Sequence, residues 1–214
     1  MNHDFAFGSK RCGCTLPSHP ARRVVLTGGP GAGKTAVLEM ARRSLCHHAA
    51  FLPESASLLF GGGFPRILSN AGLRAAQRAI FHVQRELEQL AEEDGRPSLV
   101  LCDRGTIDGL AYWPGSSESY FAELGTTLET QLARYAAVIH LRTPTPQQGY
   151  NHTNELRIES AREAHTIDDR ILEVWATHPC RLVIDSSPEF LHKASHALAL
   201  QHAELPSCCR AVEG

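Results

Sequence analysis

The chain has 214 residues, of which 43% are hydrophobic and 21% charged, which is ordinary globular usage and excludes collagen-like, coiled-coil and wholly disordered proteins. Its 21 basic and 23 acidic residues give a net charge of −2, and no basic block interleaved with aromatic residues indicates a nucleic-acid-binding surface. No apolar run reaches the ~20 residues of a transmembrane helix and the first residues lack the apolar stretch of a signal peptide, so we expect a cytoplasmic protein.

The length predicts one folded domain with a short segment at either end. Residues 1–21 mix glycine, proline, serine and charged residues without periodicity, so we expect a flexible N-terminal tail. Residues 22–203 carry the regular patterns of the folded domain, and residues 204–214 form a C-terminal tail. The sequence leaves the oligomeric state open, a homodimer included.

Five short apolar strands alternate with helical stretches, which is typical of an α/β protein with a parallel sheet. Two of the strands are continuous apolar runs, as expected for strands buried on both faces. The predicted strands span residues 24–26, 49–52, 99–102, 137–141 and 181–184. The predicted helices span residues 35–47, about 73–94, 117–124, 127–135, 155–175 and 189–202.

The cysteine pattern does not indicate a disulfide framework, because the number of cysteines is odd and three of them fall in or next to predicted helices and strands. The other four lie in the terminal tails: Cys12, Cys14, Cys208 and Cys209. They lack the CxxC or HxxxH spacing of a structural zinc site, and the twelve histidines show no ligand spacing either. We therefore expect mobile tails rather than a metal site there.

A glycine-rich segment directly after the first strand carries the strongest functional signal. It reads Gly28-Gly29-Pro30-Gly31-Ala32-Gly33-Lys34-Thr35 and fits the pattern GxxxxGK[ST] at the start of a helix. The glycines let backbone N–H groups surround phosphate oxygens, Lys34 reaches the β- and γ-phosphates, and Thr35 ligates Mg²⁺. We predict a P-loop that binds ATP with Mg²⁺, with Ala36 completing the contacts.

Three charged side chains at strand ends are candidates for the same site, because ligands bind at the carboxyl ends of parallel strands. Asp103 ends the third strand and would bring a carboxylate to the magnesium, unless it only forms a turn or caps a helix. Arg104 would contact a phosphoryl group, or form a surface ion pair. Glu54 would accept a proton from a substrate hydroxyl, or compensate the charge of a helix start.

A second group of candidates lies further along the chain. Arg157 and Arg162 are five residues apart on one predicted helix and would reach a common cleft if that segment closes over phosphate, although a solvated face explains either alone. Asp108, Tyr112 and Trp113 would form a surface for the phosphoryl acceptor, with core packing an equal alternative for Trp113.

The segments GGPGAGKT, FLPESA, GGGFP, CDRGTIDGLAYW and NELRIESAREA together resemble the NadR-like AAA/P-loop ATPase domain family over about residues 22–200. That family includes ribosylnicotinamide kinase domains and is related to thymidylate and deoxynucleoside kinases. The resemblance implies a P-loop sandwich with a five-stranded parallel sheet in the order 2-3-1-4-5 and a helical lid. It also implies that Glu54 is the general base, that Asp103 and Arg104 act at the phosphoryl centre, and that Arg157 and Arg162 are lid arginines.

The same resemblance makes Ser187, in the loop after the last strand, part of a nucleobase-binding loop. The chain lacks an [NT]KxD segment, so ATP is favoured over GTP as the phosphoryl donor. We predict a Mg²⁺-dependent kinase that acts on a small nucleoside-like or nucleotide-like acceptor. The alternatives are a regulatory protein that binds and slowly hydrolyses nucleotide without a small-molecule acceptor, and a hydrolase or toxin-system ATPase.

Overall fold

Five parallel strands form the centre of the fold, which is seen in a computed structural model that describes residues 6–144, 161–187, 189–210 and 212–213. The strands are β1 (Ala6–Phe7), β2 (Arg11–Cys12), β3 (Arg22–Thr27), β4 (Ala49–Leu52), β5 (Leu99–Asp103), β6 (Ala137–Leu141), β7 (Arg181–Ile184) and β8 (Val212–Glu213). The helices are α1 (Lys34–Ser44), α2 (Ser55–Gly61), α3 (Asn70–Asp94), α4 (Ser117–Leu124), α5 (Leu128–Leu132), α6 (Ala161–Val174), α7 (Phe190–Ala203) and α8 (Ser207–Arg210). A 3-10 turn spans Asp108–Tyr112.

The main sheet has six strands in the order β1-β4-β5-β3-β6-β7. Strands β4, β5, β3, β6 and β7 are parallel, and counted from the P-loop strand they lie in the order 2-3-1-4-5. Strand β1 pairs antiparallel with β4 at the sheet edge, with Ala6 opposite Phe51. The α/β class is therefore confirmed, whereas the sheet is mixed and has one strand more than the five predicted.

Successive residues of the central strand β3 face opposite helical layers. Val24 and Leu26 pack in the cluster that contains residues of α1 and α7, while Val25 packs in the cluster that contains residues of α3 and α6. All three side chains are fully buried, which explains why this strand reads as an uninterrupted apolar run. The carboxyl end of β3 thus delivers the P-loop from the centre of the sheet.

Local signals set most helix boundaries close to their predicted positions. Helix α3 starts after Ser69, whose hydroxyl accepts the N–H of Gly72 at 3.2 Å, and it ends at Gly95 in the left-handed conformation. Gly125 ends α4 in the same way. Helix α1 stops three residues earlier than predicted because Leu45 is extended. Of the helix predicted over 155–175, residues 155–160 lie outside the described residues.

The terminal segments differ from the predicted flexible tails. The N–H of Gly8 donates to Ala49 O at 2.9 Å, and β2 pairs with β8, with Arg11 opposite Glu213. These strands have two residues each, which is too short for hydrophobic periodicity to show in the sequence. Within the described ranges, no helix has the length and apolar character needed to cross a membrane.

Candidate functional site

The loop between β3 and α1 has the backbone shape that a phosphate cradle needs. Gly28 has a φ of 133°, and a Cβ there would lie 2.1 Å from Leu141 O, so the backbone of the neighbouring strand excludes a side chain. Gly33, with a φ of 93°, precedes the first turn of α1 and lies under the Phe190 ring, which a Cβ would approach to 2.7 Å. The sequence-predicted glycines therefore stand where glycine is required.

Lys34 is the first residue of α1, directly after this loop, and is almost fully buried. Its Nζ donates to Gly28 O at 3.0 Å and to Gly29 O at 3.1 Å, which holds the ammonium against the loop. Burial, reinforced by the charge of Arg104, lowers the pKa of Lys34 to about 8. The next two residues, Thr35 and Ala36, are exposed on the first turn of α1, where a phosphate or a metal ion can reach them.

Side chains that the sequence did not single out hold the P-loop from the neighbouring helices. Asp168 of α6 is fully buried and accepts the N–H of Gly29 at 2.7 Å and that of Thr143 at 3.1 Å. Lys193 of α7 donates to Ala32 O at 2.9 Å. Asp168 and Lys193 sit within amphipathic helical patterns, where they read as surface charges, so no sequence signal identified them.

Asp103 ends β5 next to the P-loop strand and is 7% exposed. Burial raises the pKa of Asp103 to about 6, although the charge of Lys34 opposes this. Among the described residues, Oδ1 of Asp103 is buried without a hydrogen-bond partner, which is a costly state for a carboxylate oxygen. A buried oxygen of this kind in the cavity that Thr35 also lines fits Mg²⁺, which prefers oxygen ligands.

Glu54 and Arg104 form an ion pair at the boundary between the P-loop and a cavity. Arg104 Nε donates to Glu54 Oε1 at 2.6 Å, and Arg104 Nη1 donates to Gly28 O at 3.2 Å. Ser57 Oγ donates to the other Glu54 oxygen at 2.5 Å. Burial favours the neutral acid, but the charges of Arg104 and Lys34 outweigh it and hold the pKa of Glu54 at about 2. Glu54 is therefore a carboxylate at neutral pH.

Arg104 is held in an unusual backbone conformation, with a φ of 74°, which a residue with a side chain adopts only at a cost. Its N–H donates to Leu26 O at 3.1 Å, so the backbone turns back onto the P-loop strand. The guanidinium carbon also lies 5.8 Å from the centre of the Tyr112 ring. This geometry points the Arg104 side chain toward Glu54 instead of along the strand.

The other residues predicted after β5 divide into two groups. Asp108 accepts the N–H of Gly105 at 2.6 Å and the hydroxyl of Thr27, so it stabilises the turn after the strand. Trp113 is buried in the core, and its indole N–H donates to Ser119 Oγ at 2.9 Å. Asp108 and Tyr112 line the cavity, whereas Trp113 has the core-packing role that was its alternative.

A cavity adjoins the P-loop and lies between α2, α3 and the turn after β5. Its volume of about 290 Å³ is close to ~300 Å³, the lower end of the range for small-molecule sites. Its P-loop end is charged and is lined by Lys34, Glu54, Asp103 and Arg104. Its other walls are mainly apolar and aromatic, with residues such as Phe60, Ile80, Phe81, Tyr112 and Tyr120.

Two glutamines give this cavity a polar wall that the sequence did not reveal. Gln84 is fixed at both ends of its amide: Ser55 Oγ donates to its Oε1 at 2.7 Å, and its Nε2 donates to Glu88 at 2.9 Å. Gln77 is also buried and lines the cavity. The two lie seven residues, or about two helical turns, apart on α3, and in the sequence they resemble ordinary surface glutamines.

The remaining predicted site residues are not brought to the cavity by the described structure. Arg157 lies outside the described residues. Arg162 is exposed on the first turn of α6 and is not among the residues that line the cavity. Ser187 is half-buried in the loop before α7, where its hydroxyl accepts the N–H of Glu189 at 3.1 Å.

Comparison with solved structures supports the fold. NadR protein in complex with NR matches with a TM-score of 0.67 and 16% sequence identity, over 92% of this chain and 54% of that chain. Thymidylate kinase from Candida albicans matches with a TM-score of 0.60 and 11% identity, over 91% of this chain and 96% of that chain. The chain thus spans about half the length of the NadR chain. At sequence identities this low, the structural similarity shows a shared fold only.

Comparison with sequences gives the family. A search of curated proteins found no match. A family model described as an AAA domain, AAA_28, matches residues 23–191. This range includes the P-loop and the site residues Glu54, Asp103 and Arg104. This range is most of the chain, and the structural neighbours agree with the predicted resemblance to NadR-like kinases. The chain belongs to the AAA_28 family of P-loop domains and has the α/β fold of NadR and thymidylate kinase.

Proposed function

We propose that this protein is a Mg²⁺-dependent kinase that transfers the γ-phosphoryl group of ATP to a hydroxyl of a small nucleoside-like or nucleotide-like acceptor in the cytoplasm. The observation that carries the proposal is the cavity beside the P-loop, with the Glu54–Arg104 ion pair at the junction. A nucleotide-binding loop alone serves many functions, but a separate pocket that opens onto the same charged centre provides room for a second substrate.

The charged end of the cavity suits phosphoryl transfer. Lys34 and Arg104 place two positive charges where negative charge is distributed over the transferred group. Thr35 and Asp103 would hold Mg²⁺, which when bound neutralises phosphate charge and aligns the phosphates. The acceptor oxygen forms the new P–O bond as the bond to the ADP leaving group breaks, and the acceptor proton passes to the Glu54 carboxylate or through it to water.

The low pKa of Glu54 specifies its role more closely. A carboxylate with a pKa of about 2 is a weak base, so it accepts a proton late, once the acceptor oxygen has begun to bond to phosphorus. Its main contribution before that point is to accept a hydrogen bond from the acceptor hydroxyl and orient it. Arg104 and Ser57 hold the carboxylate in place for this purpose.

The direct test is ADP release by the purified protein with Mg-ATP, alone and with a panel of nucleosides, nucleotides, ribosylnicotinamide and phosphorylated sugars, with products identified by mass spectrometry. An acceptor-dependent rise in ADP, together with a product heavier by one phosphoryl group, is expected. A slow rate that no acceptor changes would refute the kinase and favour the regulatory nucleotide-binding protein.

Substitutions at Glu54 and Lys34 then test the roles proposed for these residues. Glu54→Gln is expected to lower kcat by about 100-fold or more and leave ATP affinity unchanged, since an acid–base residue contributes about 10²–10⁴-fold. Lys34→Ala is expected to weaken both ATP binding and transfer. Glu92→Gln is the matched control, because Glu92 also pairs with an arginine, Arg23, but on the surface. Equal transfer by Glu54→Gln and the control would refute the role of Glu54.

A further inference from the structure

Seven soft-metal ligands come together where the two terminal segments meet the connection between α1 and β4. The inner group is buried and consists of Cys12, Cys46, His48 and Cys209. The outer group is partly buried and consists of Cys14, His19, Cys208 and Cys209. Within each group all four ligand atoms lie within 4.8 Å of one another. Five of the seven cysteines in the chain are therefore concentrated at one place, and Cys209 belongs to both groups.

The distances between the ligand atoms are close to those of tetrahedral zinc. With Zn–S near 2.3 Å and Zn–N near 2.0 Å, ligand atoms at the corners of a tetrahedron lie about 3.5–3.8 Å apart. In the inner group, His48 Nδ1 lies 3.4 Å from the sulfurs of both Cys12 and Cys209. In the outer group, His19 Nε2 lies 3.2 Å from Cys14 Sγ and 3.7 Å from Cys209 Sγ.

The orientation of His19 is an independent indication of a metal ligand. Its Nε2 faces the cysteine sulfurs, while its Nδ1 lies 3.2 Å from Arg96 O. A proton on Nδ1 donates to that carbonyl and leaves the Nε2 lone pair directed at the cluster. Histidines that bind metal commonly donate their second ring N–H to a carbonyl or carboxylate, because this fixes the ring and its tautomer.

The geometry points to a dinuclear zinc centre in which the Cys209 thiolate bridges the two ions. Each ion then has four protein ligands, which is the closed coordination of a structural site and leaves no position for a substrate. Five thiolates and two neutral imidazoles around two Zn²⁺ ions carry a net charge of −1, so the charges are nearly balanced in a largely buried location. Sulfur and imidazole ligands in tetrahedral arrangement select zinc over Mg²⁺ or Ca²⁺.

The position of the centre indicates what it does. It joins three segments that are far apart in sequence: residues 12–19, 46–48 and 208–209. Strands β2 and β8 have two residues each, and a pair of strands this short is not stable by itself. The zinc centre supplies the missing cross-links and fixes both ends of the chain to the domain. It lies beyond the last turn of α1, about 16 Å along the helix from Lys34, and is separate from the nucleotide site.

The sequence does not reveal the centre because neither terminal segment carries a zinc motif by itself. Cys12-x-Cys14 and Cys208-Cys209 do not match a zinc motif separately. The complete set forms only when β2 pairs with β8 and Lys10 bridges to Cys46, which places both segments beside His48. The ligand set is therefore a product of the tertiary fold.

The test is the metal content of the full chain, expressed without a histidine tag in zinc-supplemented medium and measured by inductively coupled plasma mass spectrometry. Two zinc ions per chain are expected for the wild type and one for Cys14→Ser, which removes an outer ligand at a partly exposed position. Cys180→Ser is the matched control and is expected to keep two, because this half-buried cysteine lies outside both groups. Substitution with Co²⁺ is expected to give the intense visible absorption of tetrahedral thiolate coordination.

Several outcomes would overturn the proposal. Zero or one zinc ion in the wild type would do so, as would two ions retained by Cys14→Ser or Cys209→Ser. Loss of zinc from Cys180→Ser to the same extent would show nonspecific binding by thiols. Thiol titration that finds disulfides among the five cysteines in metal-free protein as purified would replace the metal centre with covalent cross-links.

Discussion

The two adjacent aspartates of α6, Asp168 and Asp169, provide a controlled test of how the P-loop is supported. Asp168 is fully buried and accepts N–H groups from Gly29 and Thr143, and it also contacts His140 Nε2 at 2.9 Å. Asp169 is 66% exposed and pairs with Arg142 at 2.7 Å, and the same arginine also lies 3.2 Å from Asp168. The two residues have the same chemistry and neighbouring positions, so the variants Asp168→Asn and Asp169→Asn differ in burial and in the hydrogen bonds that each carboxylate accepts.

The free energy of unfolding that Asp168→Asn is expected to lose follows from the pKa of Asp168. Burial favours the neutral acid, but the hydrogen bonds from His140 and the backbone N–H groups outweigh it and hold this pKa at about 2, against an ordinary value of 3.8. At 1.36 kcal/mol per pKa unit, the carboxylate contributes roughly 2 kcal/mol to stability at neutral pH. In Asp168→Asn the amide NH₂ also faces an N–H donor, so we expect a loss of about 2–3 kcal/mol, or about 5–10 °C in Tm. For the exposed Asp169→Asn we expect less than about 1 kcal/mol.

The assay is urea denaturation of both variants and the wild type at several pH values. Because the folded pKa of Asp168 is depressed, its stabilisation is complete above about pH 4 and is lost as the pH falls toward 2. The difference between wild type and Asp168→Asn is therefore expected to narrow over that range. Equal losses for the two variants, or a difference independent of pH, would refute the reasoning.

Two further predictions concern the strand-end aspartate beside the P-loop and a glycine of the P-loop itself. Burial raises the pKa of Asp103 to about 6, above its ordinary 3.8, so its charge destabilises the folded protein at neutral pH and this penalty disappears as the pH falls from about 6 to 4. Asp103→Asn is expected to stabilise the nucleotide-free protein by roughly 1–3 kcal/mol, measured by thermal unfolding. It is also expected to weaken Mg-ATP binding, measured by calorimetry. A lower Tm for the variant would contradict this prediction. Gly28→Ala is expected to lower the free energy of unfolding by about 4 kcal/mol or more, because its Cβ would clash with Leu141 O. In the control Gly61→Ala, in α2, the new Cβ meets nothing within 4 Å, so this variant is expected to be neutral or stabilising. Urea denaturation measures both. Similar urea midpoints for these two variants would count against the steric argument.

The fold and the P-loop could be predicted from the sequence because their signals are local. The run at Val24–Leu26, the glycines that follow and Lys34 are contiguous, and their spacing alone requires a strand, a phosphate-binding turn and a helix start. The strand-end acid Asp103 was found for the same reason. Glu54 and Arg104 could be assigned to one site because both follow strand ends, but their ion pair at 2.6 Å was not predicted.

The features that could not be predicted depend on contacts between segments that are distant in sequence. Asp168 is 139 residues from the glycine whose N–H it accepts, and a charged residue on an amphipathic helix normally faces solvent. Gln84 lines the cavity because α3 packs beside the turn after β5, which no periodicity specifies. The zinc ligands are likewise assembled by strands of two residues. The sequence patterns describe each element but not which side chains meet.

The two-residue strand β1 has a consequence for the solubility of the protein. Strand β4 is entirely buried and apolar, with the sequence AAFL, and without β1 its outer edge would present unpaired backbone groups beside apolar side chains. Such an edge is a template for pairing with a second chain and hence for aggregation. Ala6 and Phe7 occupy that edge in antiparallel register, and Arg96 covers Phe7 with its guanidinium 4.8 Å from the ring centre. Two residues ahead of the P-loop domain thus shield part of this edge from pairing with another chain, and expression tags are best placed where they leave this short strand intact.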